Sequence, residues 1–396
     1  MIIIKSRIFN IFLLLALIFT SGHAFQTIYE QLSYIVYFGA IIYVGIYFIN
    51  IRKSYAKNLF LLMSFVIPPF FTMILDGSNV YYYLIIISGI MFAYGIATTI
   101  PFCKVVDIYL KLMTIVSAIA IIGYILYNYT DFLDILPRIY NSNGKEYAIG
   151  FVFNVLTRDS DRNCGMFWEP GLFATALTIA MVFEILFREK IRKLRIALFF
   201  LCFLTANSSA GFVLCILCLS LFLLKNIDLK KGNLIKNVIY FVMLFAFIFI
   251  LLNMDTVIMN TPLRNNSYFA KLLSDNVKES TRYLAIWHNL TIFFDHILFG
   301  AGVNYVNQNM LYVADTSTVT YMMSVFGLLG VWYALSWCVG IMRIKNINIL
   351  TKLVLIVIVM IILNKEPHLR LIFTWCLLFY LNIKVCNNSE IKSKLC

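Results

Sequence analysis

Side chains that bind anions or transfer protons are concentrated in two polar segments of the chain, residues 129–169 and 253–318. Arginine binds anionic groups, and a carboxylate or an imidazole acts as a general base when a hydroxyl lies within hydrogen-bond reach. Long segments of this kind are seldom kept in a compact protein without a function. The two segments are therefore predicted to hold the chemistry. Their candidate residues are Arg158, Arg162, Glu169, Arg264, Arg282, His288 and Asp315.

The elements that must position these segments are membrane helices. Of the 396 residues, 62% are hydrophobic and 13% are charged, whereas soluble domains are about 45–50% apolar and about 25% charged. This excess of apolar surface excludes a soluble globular enzyme. Apolar runs close to the roughly 20 residues that cross a bilayer predict an all-α polytopic membrane protein, with one integral membrane domain over residues 1–396. The twelve predicted spans are 8–20, 32–50, 59–75, 80–100, 112–128, 170–187, 194–207, 210–224, 234–252, 319–340, 349–363 and 369–383.

Lysine and arginine are distributed unevenly between the two sides of this predicted domain. With a cytoplasmic N-terminus, the inside segments hold 22 of the 32 basic residues and the outside segments hold 10. The positive-inside rule then predicts that both termini are cytoplasmic and that both polar segments are outer loops. The net charge of +13 is therefore a topology signal and does not indicate a nucleic-acid partner. Residues 1–24 also resemble a signal peptide, and their cleavage is left open.

The cysteines predict packing rather than chemistry. Only Cys164 of the nine falls in an outer loop, which excludes a disulfide framework by count. Cys215 and Cys218 have the CxxC spacing, but they lie inside a predicted span without a histidine or a second pair. A zinc or redox site needs polar access that this run lacks.

Five short segments with polar or small residues follow one another between residues 162 and 330. The first ends in Arg162-Asn-Cys-Gly-Met-Phe-Trp-Glu169-Pro170-Gly, where Pro170 suits the first turn of a helix. The others are Thr205-Ala-Asn-Ser-Ser-Ala-Gly211, Ser280-Thr-Arg282-Tyr-Leu-Ala-Ile-Trp287, Asp295-His-Ile-Leu-Phe-Gly300-Ala-Gly302 and Phe326-Gly-Leu-Leu-Gly330. In this order and spacing, over residues 150–335, they resemble the O-antigen polymerase and ligase superfamily of bacterial envelopes.

The resemblance implies a GT-C-like fold in the bacterial inner membrane, with two large periplasmic loops at 129–169 and 253–318. It also implies transfer of saccharides from undecaprenyl diphosphate at the periplasmic face. Ligases of the superfamily usually carry a histidine shortly before the Gly-Leu-x-Gly helix, and residues 315–320 contain none. This departure favours the polymerase branch, usually called Wzy, which joins undecaprenyl-diphosphate-linked repeat units. The expected partners are these repeat units, membrane lipids, a chain-length regulator and the repeat-unit flippase.

Roles for individual residues follow from the implied reaction. Guanidinium groups neutralise the charge that grows on a departing diphosphate, so Arg162 and Arg282, and after them Arg158 and Arg264, are expected to bind it. No metal or other cofactor is then required. The DxD-like Asp159-Ser-Asp161 is interpreted as a source of ion-pair partners for the neighbouring arginines.

The general base is chosen from Glu169, Asp315 and His288. Glu169 is the first choice, although the positive end of the following helix accounts for a carboxylate there equally well. His288 and Asp295 share a face if residues 280–294 are helical, but a histidine beside Trp287 is more often simply packed.

Two alternative functions stay open. One is the O-antigen ligase, which transfers glycan to lipid A-core. The other is a flippase or transporter for the lipid-linked oligosaccharide, which generally places ionisable residues at mid-membrane depth. Glu184 is the only acid well inside a predicted span, so the distribution of charge favours chemistry on one face of the membrane.

Overall fold

The structure is a computed structural model of the 396-residue chain. It describes residues 21–29, 56–141, 144–150, 152–226, 253–262, 281–309, 314–345 and 347–383, with isolated positions at 17, 39, 273 and within 238–249. The protein is mostly helical. Within the described ranges, four helices are long and apolar enough to cross a membrane. They are 59–76, 80–99, 102–129 and 170–187.

The helices divide into long apolar ones and short ones at turns. In chain order they are α1 (Ala24–Ile28), α2 (Ala56–Asp76), α3 (Val80–Thr99), α4 (Phe102–Tyr129), α5 (Phe132–Ile135), α6 (Pro170–Phe187), α7 (Lys193–Ala206), α8 (Ser209–Asn226), α9 (Met254–Met259), α10 (Thr281–Asp295), α11 (Gly302–Gln308), α12 (Thr318–Phe326), α13 (Leu328–Met342), α14 (Ile349–Leu363) and α15 (Ile372–Ile383). Single 3₁₀ turns cover Thr157–Asp159, Ala314–Thr316 and His368–Arg370.

The predicted span 319–340 is not one continuous helix, because Gly327 separates α12 from α13. Gly327 has φ +62°, which disfavours any residue with a Cβ atom. A Cβ there would also lie 2.4 Å from the carbonyl oxygen of Ile297. The predicted spans 8–20, 32–50 and 234–252 fall mostly outside the described residues, and the predicted total of twelve spans stays a prediction.

A small antiparallel sheet corrects the all-α expectation. Strands β1 (Arg138–Tyr140), β2 (Glu146–Ile149) and β3 (Asn154–Leu156) pair in the order β1-β2-β3 within the polar segment 129–169. The β1–β2 connection contains Gly144 with φ +71°, and the backbone N–H of Lys145 donates to the side chain of Asn141 at 2.8 Å. An Asn-Gly pair between short β-prone segments is a hairpin signal, which a search for apolar membrane-length runs does not detect.

The chain divides into two compact units. Unit 1 contains residues 1–108, 284–346 and 363–396, and unit 2 contains 109–283 and 347–362. The boundary at 108/109 falls within α4 rather than in a linker, and the predicted single membrane domain stays a prediction.

The core of unit 1 is built on α3 and α15. The hydroxyl of Tyr380 on α15 donates to the carbonyl oxygens of Ile96 and Ile100 at 3.2 and 2.7 Å. Phe65 of α2 packs edge-on against Trp375 and Phe379. Because these aromatic side chains are buried together, they hold α2 and α15 in a fixed register.

The core of unit 2 surrounds α6, which is buried along almost its whole length. It begins at Pro170, as predicted, because proline has no N–H to leave unpaired at a first helical position. The hydroxyl of Tyr109 donates to the carbonyl oxygen of Ala176 at 3.0 Å. A Cβ on Gly211 of α8 would lie 2.9 Å from that of Ala174, so the two helices approach closely. Cys215 and Cys218 are both buried in α8, in agreement with packing.

The polar segments singled out in the sequence interlock within each unit. In unit 2, the side chain of Asn163 donates to the hydroxyl of Thr205 at 3.0 Å, and its backbone N–H donates to the Thr205 carbonyl at 2.9 Å. In unit 1, the backbone N–H of Ala301 donates to the carbonyl of Ser324 at 2.8 Å. Gly300 sits where a Cβ would lie 2.2 Å from the Val325 carbonyl oxygen. The small residues of these segments are thus required by close backbone contacts.

Candidate functional site

A polar cluster in unit 1 joins three turns at the ends of helices. It consists of Tyr82, Asn307, Asp315, Tyr321 and Arg370, and we call it the Arg370 cluster. The Arg370 guanidinium lies over the Tyr82 ring, 4.8 Å from the ring centroid, and one of its nitrogens is 4.0 Å from a carboxylate oxygen of Asp315. Arginine combines a fixed positive charge, which anionic groups seek, with a planar group that stacks on aromatic rings.

Tyr321 and Asn307 connect to the cluster through the phenolic hydroxyls. The hydroxyls of Tyr82 and Tyr321 are 3.5 Å apart, and the Tyr321 hydroxyl is 3.5 Å from the side-chain oxygen of Asn307. The side chain of Arg370 is half exposed and that of Asp315 is 23% exposed. A cation, a carboxylate and phenolic hydroxyls therefore share one partly solvated site.

Buried hydroxyl groups fix the turns that carry Asp315 and Arg370. The Thr318 hydroxyl donates to the carbonyl of Glu366 at 2.8 Å and accepts from the backbone N–H of His368 at 2.6 Å. The Ser317 hydroxyl donates to the side-chain oxygen of Asn364 at 2.8 Å. Buried polar groups satisfied in this way hold a unique arrangement, so the 314–318 turn and the 364–370 turn are kept together.

Asp76 positions α11, which carries Asn307. One carboxylate oxygen of Asp76 accepts from the Tyr83 hydroxyl at 2.7 Å and from the backbone N–H of Asn304 at 3.4 Å. The Tyr83 oxygen accepts in turn from the backbone N–H of Val303 at 2.9 Å. Gly302 has φ +80°, and a Cβ there would lie 2.9 Å from the Asp76 carboxyl carbon. The start of α11 is therefore held against the end of α2.

Burial sets the acid–base behaviour of Asp315. Loss of solvent around the carboxylate raises the pKa of Asp315 above its ordinary value, and the positive charge of Arg370 opposes part of that rise. A carboxyl group with a raised pKa is a stronger base once ionised. Asp315, one of the predicted bases, is thereby suited to accept a proton from a hydroxyl.

Glu169, the first-choice base, lies in unit 2 at the N-cap position of α6. Its side chain makes no capping hydrogen bond and instead accepts from the Lys145 ammonium at 2.7 Å. The two side chains are 29% and 44% exposed. The β1–β2 hairpin thus supplies a cation, Lys145, to the predicted base Glu169. The Glu169 carboxylate does not cap α6 by a hydrogen bond.

The predicted diphosphate-binding arginines occupy different settings. Arg158 is exposed on the 3₁₀ turn, and Arg162 is partly buried, with its carbonyl accepting from the Tyr127 hydroxyl at 3.3 Å. Arg282 is partly buried in the first turn of α10. Arg264 lies outside the described residues. Arg158, Arg162 and Arg282 belong to unit 2 together with Glu169, whereas Asp315 and His288 belong to unit 1.

The histidines of the second loop lie on or beside α10. His288 is partly buried, and its Nε2 atom has no hydrogen-bond partner among the described residues. Asp295 is exposed, so the proposed His288–Asp295 pair does not share one environment. His296 packs edge-on against Tyr305, and its carbonyl accepts from the Gly300 N–H at 3.0 Å.

Sequence reasoning identified Asp315 but did not choose Arg370 or Tyr82. The charged turn 365–370 and the Tyr81-Tyr82-Tyr83 run at the start of α3 were the available signals. Neither signal reveals that the turn 365–370 lies against the start of α3 and the turn that carries Asp315. Among the described residues, no three His, Cys, Asp or Glu side chains converge into a group that holds a metal ion.

The comparisons with known proteins assign no family. The chain was compared with protein-family models, with curated proteins and with solved structures, and none of the three comparisons found a match.

Proposed function

We propose that the protein is a glycosyltransferase of the polymerase type, which joins undecaprenyl-diphosphate-linked oligosaccharide repeat units on the periplasmic face of a bacterial inner membrane. The observation that carries the proposal is the Arg370 cluster, in which Asp315 and Arg370 face each other beside the start of a membrane-length helix, α3. The ordered polar segments and the charge bias of the loops support the same reading.

The reaction needs one base and one group that stabilises the leaving diphosphate. The acceptor hydroxyl attacks the anomeric carbon of the donor glycan, and its proton passes to the Asp315 carboxylate. The bond from the anomeric carbon to the diphosphate oxygen breaks, and the electron pair leaves with undecaprenyl diphosphate. Arg370 donates hydrogen bonds to the diphosphate oxygens on which the charge grows.

The geometry of the pair suits these two roles. At 4.0 Å the contact between Asp315 and Arg370 is too long for a hydrogen bond, so substrate oxygens do not have to replace a hydrogen bond between these two side chains. The Tyr82 ring, with its centroid 4.8 Å from the guanidinium carbon, helps to position Arg370 by a cation–π contact. Arg158, Arg162, Arg264 and Arg282 stay predicted contributors to diphosphate binding.

The proposal is tested by genetic replacement in the source bacterium, with surface polysaccharide displayed on a gel. We expect R370A and D315N to leave a single capped repeat unit in place of the polymer ladder. R343A is the matched control, because Arg343 is likewise exposed and lies in a predicted cytoplasmic loop. Amounts of each protein in the membrane are measured alongside.

Each outcome separates the polymerase from its alternatives. A normal ladder in both R370A and D315N overturns the assignment of the site. Repeat units trapped on the cytoplasmic side after deletion of the gene indicate a flippase. Polymer that is made but stays on its lipid carrier indicates a ligase.

A further inference from the structure

A second polar cluster lies on the β-sheet of unit 2 and on the short helix α5 that precedes it. It consists of Asp134, Arg138, Tyr140 and Glu146, and we call it the Tyr140 cluster. Tyr140 and Glu146 are directly opposite each other on β1 and β2, and the Tyr140 hydroxyl donates to the Glu146 carboxylate at 2.8 Å. Arg138 donates to Asp134 at 3.1 Å and lies 4.0 Å from Glu146.

This cluster contributes little to the stability of the sheet. Tyr140 is 65% exposed, and the side chains of Arg138 and Asp134 are 45% and 72% exposed. Exposed ion pairs of this kind hardly stabilise a fold. The sheet is held by its buried residues, since Ala148 and Val155 pack in a core with Tyr127. The outward groups are therefore available for a ligand.

The combination of groups matches the surface of a sugar. A pyranose ring presents a C–H face, which packs on an aromatic ring, and hydroxyls around its rim, which donate to carboxylates and accept from guanidinium groups. The hydrogen bond to Glu146 fixes the Tyr140 ring in one orientation, so little side-chain freedom is lost when a sugar binds. That same hydrogen bond holds the pKa of Glu146 below its ordinary value, so the carboxylate stays ionised at a lower pH than an ordinary glutamate does.

We infer that the Tyr140 cluster is a binding site for the glycan of the lipid-linked substrate, separate from the Arg370 cluster. The inference rests on the proposed function for the identity of the glycan. With two carboxylates and one guanidinium, the cluster carries one net negative charge. It therefore selects neutral or amino sugars and disfavours uronic acids and phosphorylated sugars.

The test measures binding of oligosaccharides to the full-length protein in nanodiscs. The probes are fragments of one to three repeat units, released by mild acid from the surface polysaccharide of the source bacterium, and binding is followed by saturation-transfer NMR and by titration. We expect Y140A to weaken binding by about tenfold and Y140F to weaken it less, because phenylalanine keeps the ring. Y129A is the matched control, since Tyr129 is 80% exposed in the same unit.

The results distinguish this inference from the proposed function. Y140A is expected to shorten the polymer while still joining repeat units, whereas R370A is expected to abolish joining while the fragments still bind. Equal binding by wild type, Y140A and Y129A overturns the inference, and so does shortening of the polymer by Y140A without a loss of fragment affinity. Fragment binding that depends on Tyr140 in a protein that joins no repeat units overturns the proposed function and supports the inference.

Discussion

Glu184 and Arg195 form a buried ion pair whose removal has a calculable effect. One oxygen of Glu184 is 2.6 Å from a guanidinium nitrogen of Arg195, and the other accepts from the backbone N–H of Arg192 at 2.7 Å. The two side chains are 0% and 8% exposed. The pair links the last turn of α6 to the first turn of α7.

The expected magnitude follows from this burial. Two unit charges about 3 Å apart attract by roughly 5 kcal/mol at an effective dielectric constant near 20, and desolvation offsets much of that attraction. Removal of one partner of a buried ion pair costs about 3–5 kcal/mol, and Lys225, which also interacts with Glu184, places the loss toward the lower end of that range. We therefore expect R195M to lose that amount. The double variant E184Q/R195M recovers most of the loss, because neither charge remains and the glutamine oxygen still accepts from Arg192.

The assay is a double-variant cycle of unfolding free energies in mixed detergent micelles, followed by tryptophan fluorescence. K193M is the control, because Lys193 is exposed in the same turn. A coupling energy of at least about 2 kcal/mol is expected. Strict additivity of the two single changes, or an R195M protein as stable as wild type, would refute the reasoning.

The same variants bear on the transporter alternative. Glu184 was the one acid well inside a predicted span, and its pairing with Arg195 gives it a structural role. We expect E184Q/R195M to display a normal polymer ladder. A stable double variant that exports no repeat units would instead assign Glu184 to transport.

Three further predictions concern the turns and the site. G300A and G327A are expected to lose more than about 3 kcal/mol of stability, measured as a fall in Tm, because each Cβ meets a carbonyl oxygen within 2.4 Å. G77A, at φ +62° in open space, costs only about 1 kcal/mol. T318V breaks two buried hydrogen bonds and is expected to cost about 2–3 kcal/mol in the same measurement, whereas T318S keeps the hydroxyl. Polymer formation in isolated membranes is expected to fall as pH is lowered through the pKa of Asp315, where the base is protonated. Because burial raises that pKa, the fall begins above the ordinary value of about 3.9, and a rate that is constant down to pH 4 contradicts the role of Asp315.

Sequence patterns predicted elements well where a local rule decides the structure. The missing N–H of proline begins α6 at Pro170, and apolar length defines the membrane-length helices α2, α3, α4 and α6. The same rules failed at Gly327, because the apolar run continues through it. Gly327 adopts φ +62°, and a Cβ there would lie 2.4 Å from the Ile297 carbonyl oxygen, a tertiary restraint that hydropathy does not record.

The sequence predicted only part of the candidate site, because the rest depends on tertiary contacts. Asp315 was chosen by its position in a polar loop, and Glu169 by its place before a helix. The partner of each one comes from a distant segment, since Arg370 follows α14 and Lys145 follows β1. Ion pairs between distant segments depend on how turns are held together, here by the Thr318 hydroxyl, and no spacing rule predicts them.

Glu184 and Asp315 differ in how much of their hydrogen-bonding capacity the fold uses. Glu184 is fully buried and makes contacts of 2.6 and 2.7 Å with both of its oxygens, so its hydrogen-bonding capacity is used by the fold. Asp315 keeps 23% of its side chain exposed and meets its cation only at 4.0 Å. A carboxylate held rigidly by its turn but only loosely by its counter-ion has capacity left for a substrate. This contrast, rather than the presence of acidic residues in a loop, is the physical reason to place the proposed chemistry at Asp315.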